Sequence, residues 1–129
     1  MNTIEATEDT PKINLDSSNN YLSIVGISAP EDAVEFYQPI LDWLSSMQND
    51  TPQEITLKFR FNYYNTATSL LTLQIMKSLD KLHKENCTTK IIWCHEEEDN
   101  AMIEAGNIYK ENLYNCEFLF ESYPKPSSQ

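Results

Sequence analysis

The chain has 129 residues and a formal net charge of −11, from 20 acidic and 9 basic side chains; apolar residues make up 40% and aromatic residues 11%. That is enough bulk for the core of one domain and too much for a disordered chain. The acidity excludes nucleic-acid binding through a broad basic face and attachment to anionic lipid, two glycines leave no phosphate-cradling loop, and no apolar run is long enough to insert in a membrane.

Residues 1–11 are polar, end at Pro11, and are predicted to be a flexible N-terminal tail. Residues 12–16 alternate, with Ile13 and Leu15 on one side, and the turn-forming run Asp16-Ser17-Ser18-Asn19-Asn20 leads into a β-branched strand over 21–27, giving a hairpin. Ser28 and Glu31 match a capping box, with Pro30 suited to a first turn. The helix that follows carries Ala33, Phe36, Tyr37, Ile40, Leu44 and Met47 on one face and is interrupted by Pro39.

The clearest strand spans 54–64. Ile55, Leu57, Phe59, Phe61 and Tyr63 alternate with Thr56, Lys58, Arg60 and Asn62, which predicts one buried face and one wet face. A sheet covered on both sides would show continuous apolar runs instead. A second helix is predicted over 67–85, a strand over 89–95, a third helix over 100–112 and a last strand over 117–121. The fold class is therefore α/β: a two-layer sandwich in the order β-β-α-β-α-β-α-β, with a mixed, mostly parallel sheet and helices on one face. One domain over 12–123 is expected, with 124–129 a flexible C-terminal tail.

Charge is uneven along the chain. Residues 1–54 carry a net −9, residues 55–90 a net +4 and residues 91–129 a net −6. Lys77, Lys81 and Lys84 read as the solvated face of a helix. The run His95-Glu96-Glu97-Glu98-Asp99 could bind a divalent cation or small ligand through its oxygens, but acids also gather at helix starts because they oppose the positive end of the dipole. No metal site is assigned. Cys87, Cys94 and Cys116 form no C-x-x-C pair, and with no cationic, apolar leader they predict reduced thiols in a cytoplasmic protein. Cys94 lies in an apolar run and is expected in the core. Neither His83 nor His95 has a nucleophile beside it, so no catalytic residue and no cofactor is assigned and the chain is read as non-enzymatic.

The junction Tyr63-Tyr64-Asn65-Thr66-Ala67-Thr68-Ser69 concentrates hydroxyls where a helix begins. Asn65 or Thr66 can cap the helix. A phosphate at the same place would be stabilised by the dipole and the free amides, with Lys58 and Arg60 the nearest cations in sequence.

Around this junction the chain resembles a known family. The supporting segments are Thr10-Pro11-Lys12-Ile13, Gly26-Ile27-Ser28-Ala29-Pro30-Glu31-Asp32, Phe36-Tyr37 through Leu41-Asp42-Trp43-Leu44, Tyr64-Asn65-Thr66, Trp93 with the acids after it, and Glu104-Ala105-Gly106. In order and spacing these resemble the SiaC family of bacterial regulatory phosphoproteins, which are similar to STAS anti-sigma-factor antagonists. The resemblance implies a protein-interaction switch. Thr66 is then the phospho-acceptor, modified by a partner Ser/Thr kinase and restored by a PP2C-type phosphatase. Asn65, Thr68 and Ser69 support the site, and Lys58, Arg60 and Tyr64 are candidate partner-binding residues. Ala67 stands where the family often has Ser. The unphosphorylated form would bind and activate a diguanylate cyclase, linking the chain to cyclic-di-GMP and biofilm formation. A STAS-like module acting in a sigma-factor pathway is the alternative. The wet sheet face permits a monomer or a weak homodimer.

Overall fold

The computed structural model describes residues 3–84 and 86–126. Among these residues, six strands lie in chain order in one sheet: β1 (Thr3–Ile4), β2 (Lys12–Asp16), β3 (Tyr21–Ser28), β4 (Glu54–Tyr64), β5 (Thr88–Glu96) and β6 (Glu117–Tyr123). The β2–β3 hairpin is antiparallel, and its turn is fixed by Asp16, whose carboxylate accepts from Ser18 N–H and from the Asn19 side-chain amide. The pairs β3–β4, β4–β5 and β5–β6 are parallel. Three helices make the crossovers: α1 (Ala33–Ser46), α2 (Thr66–Lys81) and α3 (Asn100–Glu111). Right-handed crossovers that all step in one direction leave every helix on the same face. The architecture is the two-layer α/β sandwich that the alternation in β4 predicts.

The core lies between the layers. Ile24, Leu57, Phe59, Phe61 and Trp93 from the sheet meet Tyr37, Ile40, Leu44, Ile75 and Leu79 from the helices, all essentially buried. Burying each such side chain stabilises the fold by about 1.5–3 kcal/mol. Gly106 lets α3 settle on the sheet: a Cβ there would lie 2.6 Å from both Phe120 Cε2 and Trp93 Cδ1. The Trp93 indole N–H donates to the Met102 carbonyl at 2.8 Å, pinning the first turn of α3 to β5.

Several local expectations are corrected. Thr3–Ile4 is not loose. Ile4 packs on the core opposite Ile13, and Thr3 donates to the Asn14 side chain, so the apolar residue inside the polar segment adds an edge strand. Asp9 carbonyl also accepts from Ala29 N–H. Ser28 does not cap α1. It ends β3, fully buried, and the cap is Asp32, whose carboxylate accepts from Glu35 N–H at 3.1 Å. The second helix ends at Lys81, short of the predicted 85, with Leu82 buried beneath its last turn; Glu85 lies outside the described residues, as do residues 1–2 and 127–129 of the expected tails. Tyr63 is exposed although the alternation predicts it buried. Gly26 pairs with Phe61 but Ile27 pairs with Tyr63, so Asn62 is an extra residue and the phase of β4 inverts beyond it. Cys94 is buried, but on the sheet face away from the helices, where Lys58, Arg60 and Glu121 surround it.

Asp80 closes the far end of α2. Its carboxylate accepts from the N–H groups of Tyr114, Asn115 and Cys116 at 3.1, 2.8 and 2.8 Å. Burial alone would raise its pKa, but these three backbone donors outweigh it and hold the carboxyl below its ordinary value. A depressed carboxylate contributes stability above its unfolded pKa of about 3.9 and loses it as pH falls toward the folded value. Asp80→Asn is therefore expected to destabilise the protein by about 1–3 kcal/mol at pH 7, with the gap to wild type narrowing below about pH 4; urea melts across that range check both. Gly106→Ala is expected to cost about 1–3 kcal/mol by overpacking, read as a lowered midpoint in thermal unfolding.

Candidate functional site

The chain leaves β4 at Tyr64 and enters α2 at Thr66 through one extended residue, Asn65. Asn65 is the cap. Its Oδ1 accepts from Thr68 N–H at 2.9 Å, and its carbonyl accepts from Ser69 N–H at 3.0 Å. The amides of Thr66 and Ala67 stay outside the helix ladder and leave partial positive charge at the helix start.

The three hydroxyls of this turn have different fates. Thr68 is fully buried; its Oγ1 donates to the Ser28 carbonyl at 3.1 Å and lies 2.8 Å from Ser28 Oγ. Ser28 Oγ in turn lies 2.6 Å from the Tyr37 hydroxyl. With Thr68 donating to the carbonyl, Ser28 donates to Thr68 and Tyr37 to Ser28, so every hydroxyl hydrogen has an acceptor. Burial pushes the Tyr37 hydroxyl up to about 12, against the opposing hydrogen bonds of Ser28 and Thr68. Ser69 is half-buried, and its carbonyl accepts from the Tyr109 hydroxyl at 3.2 Å. Thr66 is exposed. It is the most exposed of the three residues, at the first helical position and beside the amides outside the helix ladder.

Tyr64 is half-buried in an aromatic cluster, 5.0 Å from the Phe61 ring and 6.1 Å from that of Trp93. Burial, then Tyr109 and Asp99 nearby, push its hydroxyl pKa upward. Lys58 and Arg60 are not brought to Thr66. They lie on the opposite sheet face, where Lys58 pairs with Glu121 at 3.4 Å and Arg60 sits 4.0 Å over the Tyr123 ring. The loops that share the C-terminal rim of the parallel strands with Thr66 are acidic instead, carrying Glu31, Asp32 and residues 96–99. A phosphate on Thr66 would therefore deepen a negative rim, not neutralise a positive one.

In the 95–99 run, Asp99 is spent as the cap of α3, accepting from Met102 N–H at 3.1 Å. His95 is buried, with Nδ1 2.8 Å from the Glu96 carbonyl oxygen. Among the described residues no three His, Cys, Asp or Glu side chains come together as a metal site. The parts of the site that sequence reasoning misses are Ser28 and Tyr37. Ser28 carries the signal of a cap residue, and nothing in the periodicity of α1 marks the Tyr37 hydroxyl.

Fold and site define a small α/β domain with consecutive parallel crossovers behind one amphipathic sheet. The model of the SiaC family regulatory phosphoprotein matches residues 4–123, and the chain belongs to that family. A curated relative, an uncharacterised protein of Pseudomonas aeruginosa strain UCBPP-PA14, is 26% identical over 117 residues, covering 91% of this chain and 90% of the relative. Among solved structures, SiaC of Pseudomonas aeruginosa in complex with diguanylate cyclase SiaD, which it activates, superimposes with a TM-score of 0.85 at 23% identity, covering 94% of this chain and 98% of that one. SiaC of Pseudomonas aeruginosa gives a TM-score of 0.83 at 23% identity, over 95% of this chain and 100% of the other. At these identities the structural likeness establishes the fold. Among the described residues no helix is long and apolar enough to cross a membrane.

The different roles of the hydroxyls are open to test. Thr68→Val strips a buried network and is expected to cost about 1–3 kcal/mol, while Thr66→Val is expected to stay within about 0.5 kcal/mol of wild type, as for a surface change. Chemical denaturation of the two variants reads the difference.

Proposed function

We propose that this protein is a cytoplasmic, non-enzymatic regulatory switch that works by reversible phosphorylation of Thr66. A partner Ser/Thr kinase adds the phosphate, a PP2C-type phosphatase removes it, and the unmodified form binds and activates a diguanylate cyclase, setting cyclic-di-GMP output and through it biofilm formation. The reading is supported by membership of a family of regulatory phosphoproteins and by a relative of the same fold that is complexed with a cyclase. The observation that carries it is the sorting of hydroxyl residues at the start of α2: the Thr68 hydroxyl is bonded inside the fold, Ser69 is half-buried, and Thr66 is exposed.

The physics of the position suits the role. A phosphate carries about −1.5 to −2 charges at pH 7. The helix dipole and the free amides favour that charge by about 0.3–1 kcal/mol. Because the Thr66 hydroxyl holds no part of the fold together, the domain keeps its structure when modified and only its docking surface changes. There the new charge meets the acidic rim and must be desolvated before a partner can seat.

Incubation with the cognate kinase and ATP is expected to add one phosphate to the wild type by intact mass and none to Thr66→Ala; a phosphate on Thr66→Ala removes the assignment. Thr66→Glu is expected to weaken binding to the cyclase by about tenfold or more in titration calorimetry, equivalent to about 1.4 kcal/mol. Unchanged affinity would separate the modification from partner control.

A further inference from the structure

The register of β2, β3 and β4 assembles a surface on the sheet face away from the helices. Lys12 pairs with Val25, and Val25 pairs with Arg60, so a cation, an apolar side chain and a second cation form one cross-strand row. Ile27 opposite Tyr63 forms the next row. With strands about 4.8 Å apart, the Cα atoms of Lys12 and Arg60 stand roughly 10 Å from each other across Val25, and the Arg60 guanidinium leans across β5 onto the Tyr123 ring. Val25 is 36% exposed, Ile27 43% and Tyr63 58%.

Single exposed apolar residues need no explanation. These three are contiguous, and one of them is there because the strand is irregular. With unbroken alternation Tyr63 would share the buried side of Phe61. The extra residue Asn62 turns it outward, and a bulge that re-aims a side chain is a built feature of a sheet. An outward Tyr beside two aliphatic side chains and an Arg is the composition of an interface anchor. The cations are held only by exposed contacts: Lys12 lies 3.9 Å from Glu5, and Arg60 is stacked on Tyr123. Neither contact occupies the whole donor set of its cation, and an exposed pair such as Lys12–Glu5 is cheap to replace.

We propose that this patch docks a protein segment whose apolar side chains are flanked by carboxylates. Val25, Ile27 and Tyr63 bury the apolar side chains, and Lys12 and Arg60 take the acids, Arg60 through its fork of donors. The partner's sign follows from the charges: the patch is framed by cations on a chain of net −11, so it selects an acidic segment where the rest of the molecule would repel one. A second copy of the chain would also bring that whole negative charge close to its like. The inference goes beyond the switch, since it needs no modification of Thr66. Its test uses the unmodified chain, so the two readings fail separately.

The test titrates the full-length, nitrogen-15-labelled protein with three synthetic peptides of equal length. They share the same Leu and Phe residues and differ in carrying Glu, Lys or Ser between them. The Glu peptide is expected to shift the amide signals of Val25, Ile27 and Tyr63, and to bind more weakly as salt rises. Tyr63→Ala and Arg60→Glu are each expected to weaken it about tenfold, with thermal melts showing that both variants remain folded. The double change Lys12→Glu with Arg60→Glu is expected to transfer preference to the Lys peptide. No binding of the Glu peptide up to about 1 mM, shifts confined to another face, or equal affinity for the Glu and Ser peptides would overturn the proposal. So would self-association of the free chain that Tyr63→Ala abolishes, which would give the face to a second copy.

Discussion

The carbonyl of Ser28 accepts two hydrogen bonds, one from Asn65 N–H at 3.0 Å and one from the Thr68 hydroxyl at 3.1 Å. Through them the end of β3 holds both the cap and the first turn of α2, and Ser28 Oγ extends the hold to Tyr37 on α1. Three elements thus meet on one buried residue. The meeting depends on the bulge in β4. If β4 ran without Asn62 as an extra residue, Tyr64 would no longer stand opposite Ser28 and Asn65 would not reach its carbonyl. A single inserted residue therefore does three things: it turns Tyr63 to solvent, it brings Tyr64 onto the aromatic cluster with Phe61 and Trp93, and it sets the start of α2 over Ser28.

Charge is arranged by face more than by segment. The middle third of the chain is cationic in sequence, but the fold distributes those cations. Lys58, Arg60 and Lys90 join Lys12 on the open sheet face, while Lys77 and Lys81 lie along the second half of α2. On the open face Lys58 and Lys90 are paired with Glu121 and Glu54 at 3.4 Å each, while Lys12 and Arg60, the cations on either side of Val25, make the looser exposed contacts with Glu5 and Tyr123. The rim around Thr66 receives acids instead. The open face thus mixes cations with carboxylates, while the rim around Thr66 carries carboxylates.

The architecture was legible in the sequence because its strongest signals are periodic. The alternation in β4 shows a sheet covered on one side, and Leu71, Ile75 and Leu79 mark α2 at helical spacing. Asn65 and Thr66, ahead of that stripe, both carry the signal of a cap, and the structure gives the role to Asn65. What escaped is what periodicity cannot encode. A bulge is a change of phase with no residue type of its own; Gly26, at φ +124°, is its only trace. Ser28 is legible as a hydrogen-bonding residue, but its partner is not, since a serine between a strand and a helix suits either end. Thr3–Ile4 is too short a strand to show any period. The separate fates of Thr66, Thr68 and Ser69 are invisible in the sequence, because which hydroxyl faces the core depends on where the helix axis lies.

The bonding of that turn constrains how any signal placed there can act. A charge on Thr68 would break the bond to Ser28 and loosen the hold on β3 and α1, so it would be read as a loss of fold. A charge on Thr66 disturbs no bond of the domain, and the helix start welcomes it. Its effect is then confined to what approaches the surface: the field of the rim, the water that must be removed, and the shape at the first turn of α2. Among the described residues no buried side-chain polar atom lacks a hydrogen-bond partner. Control by surface charge, with the scaffold unchanged, is the mode that the network of Ser28, Tyr37 and Thr68 permits.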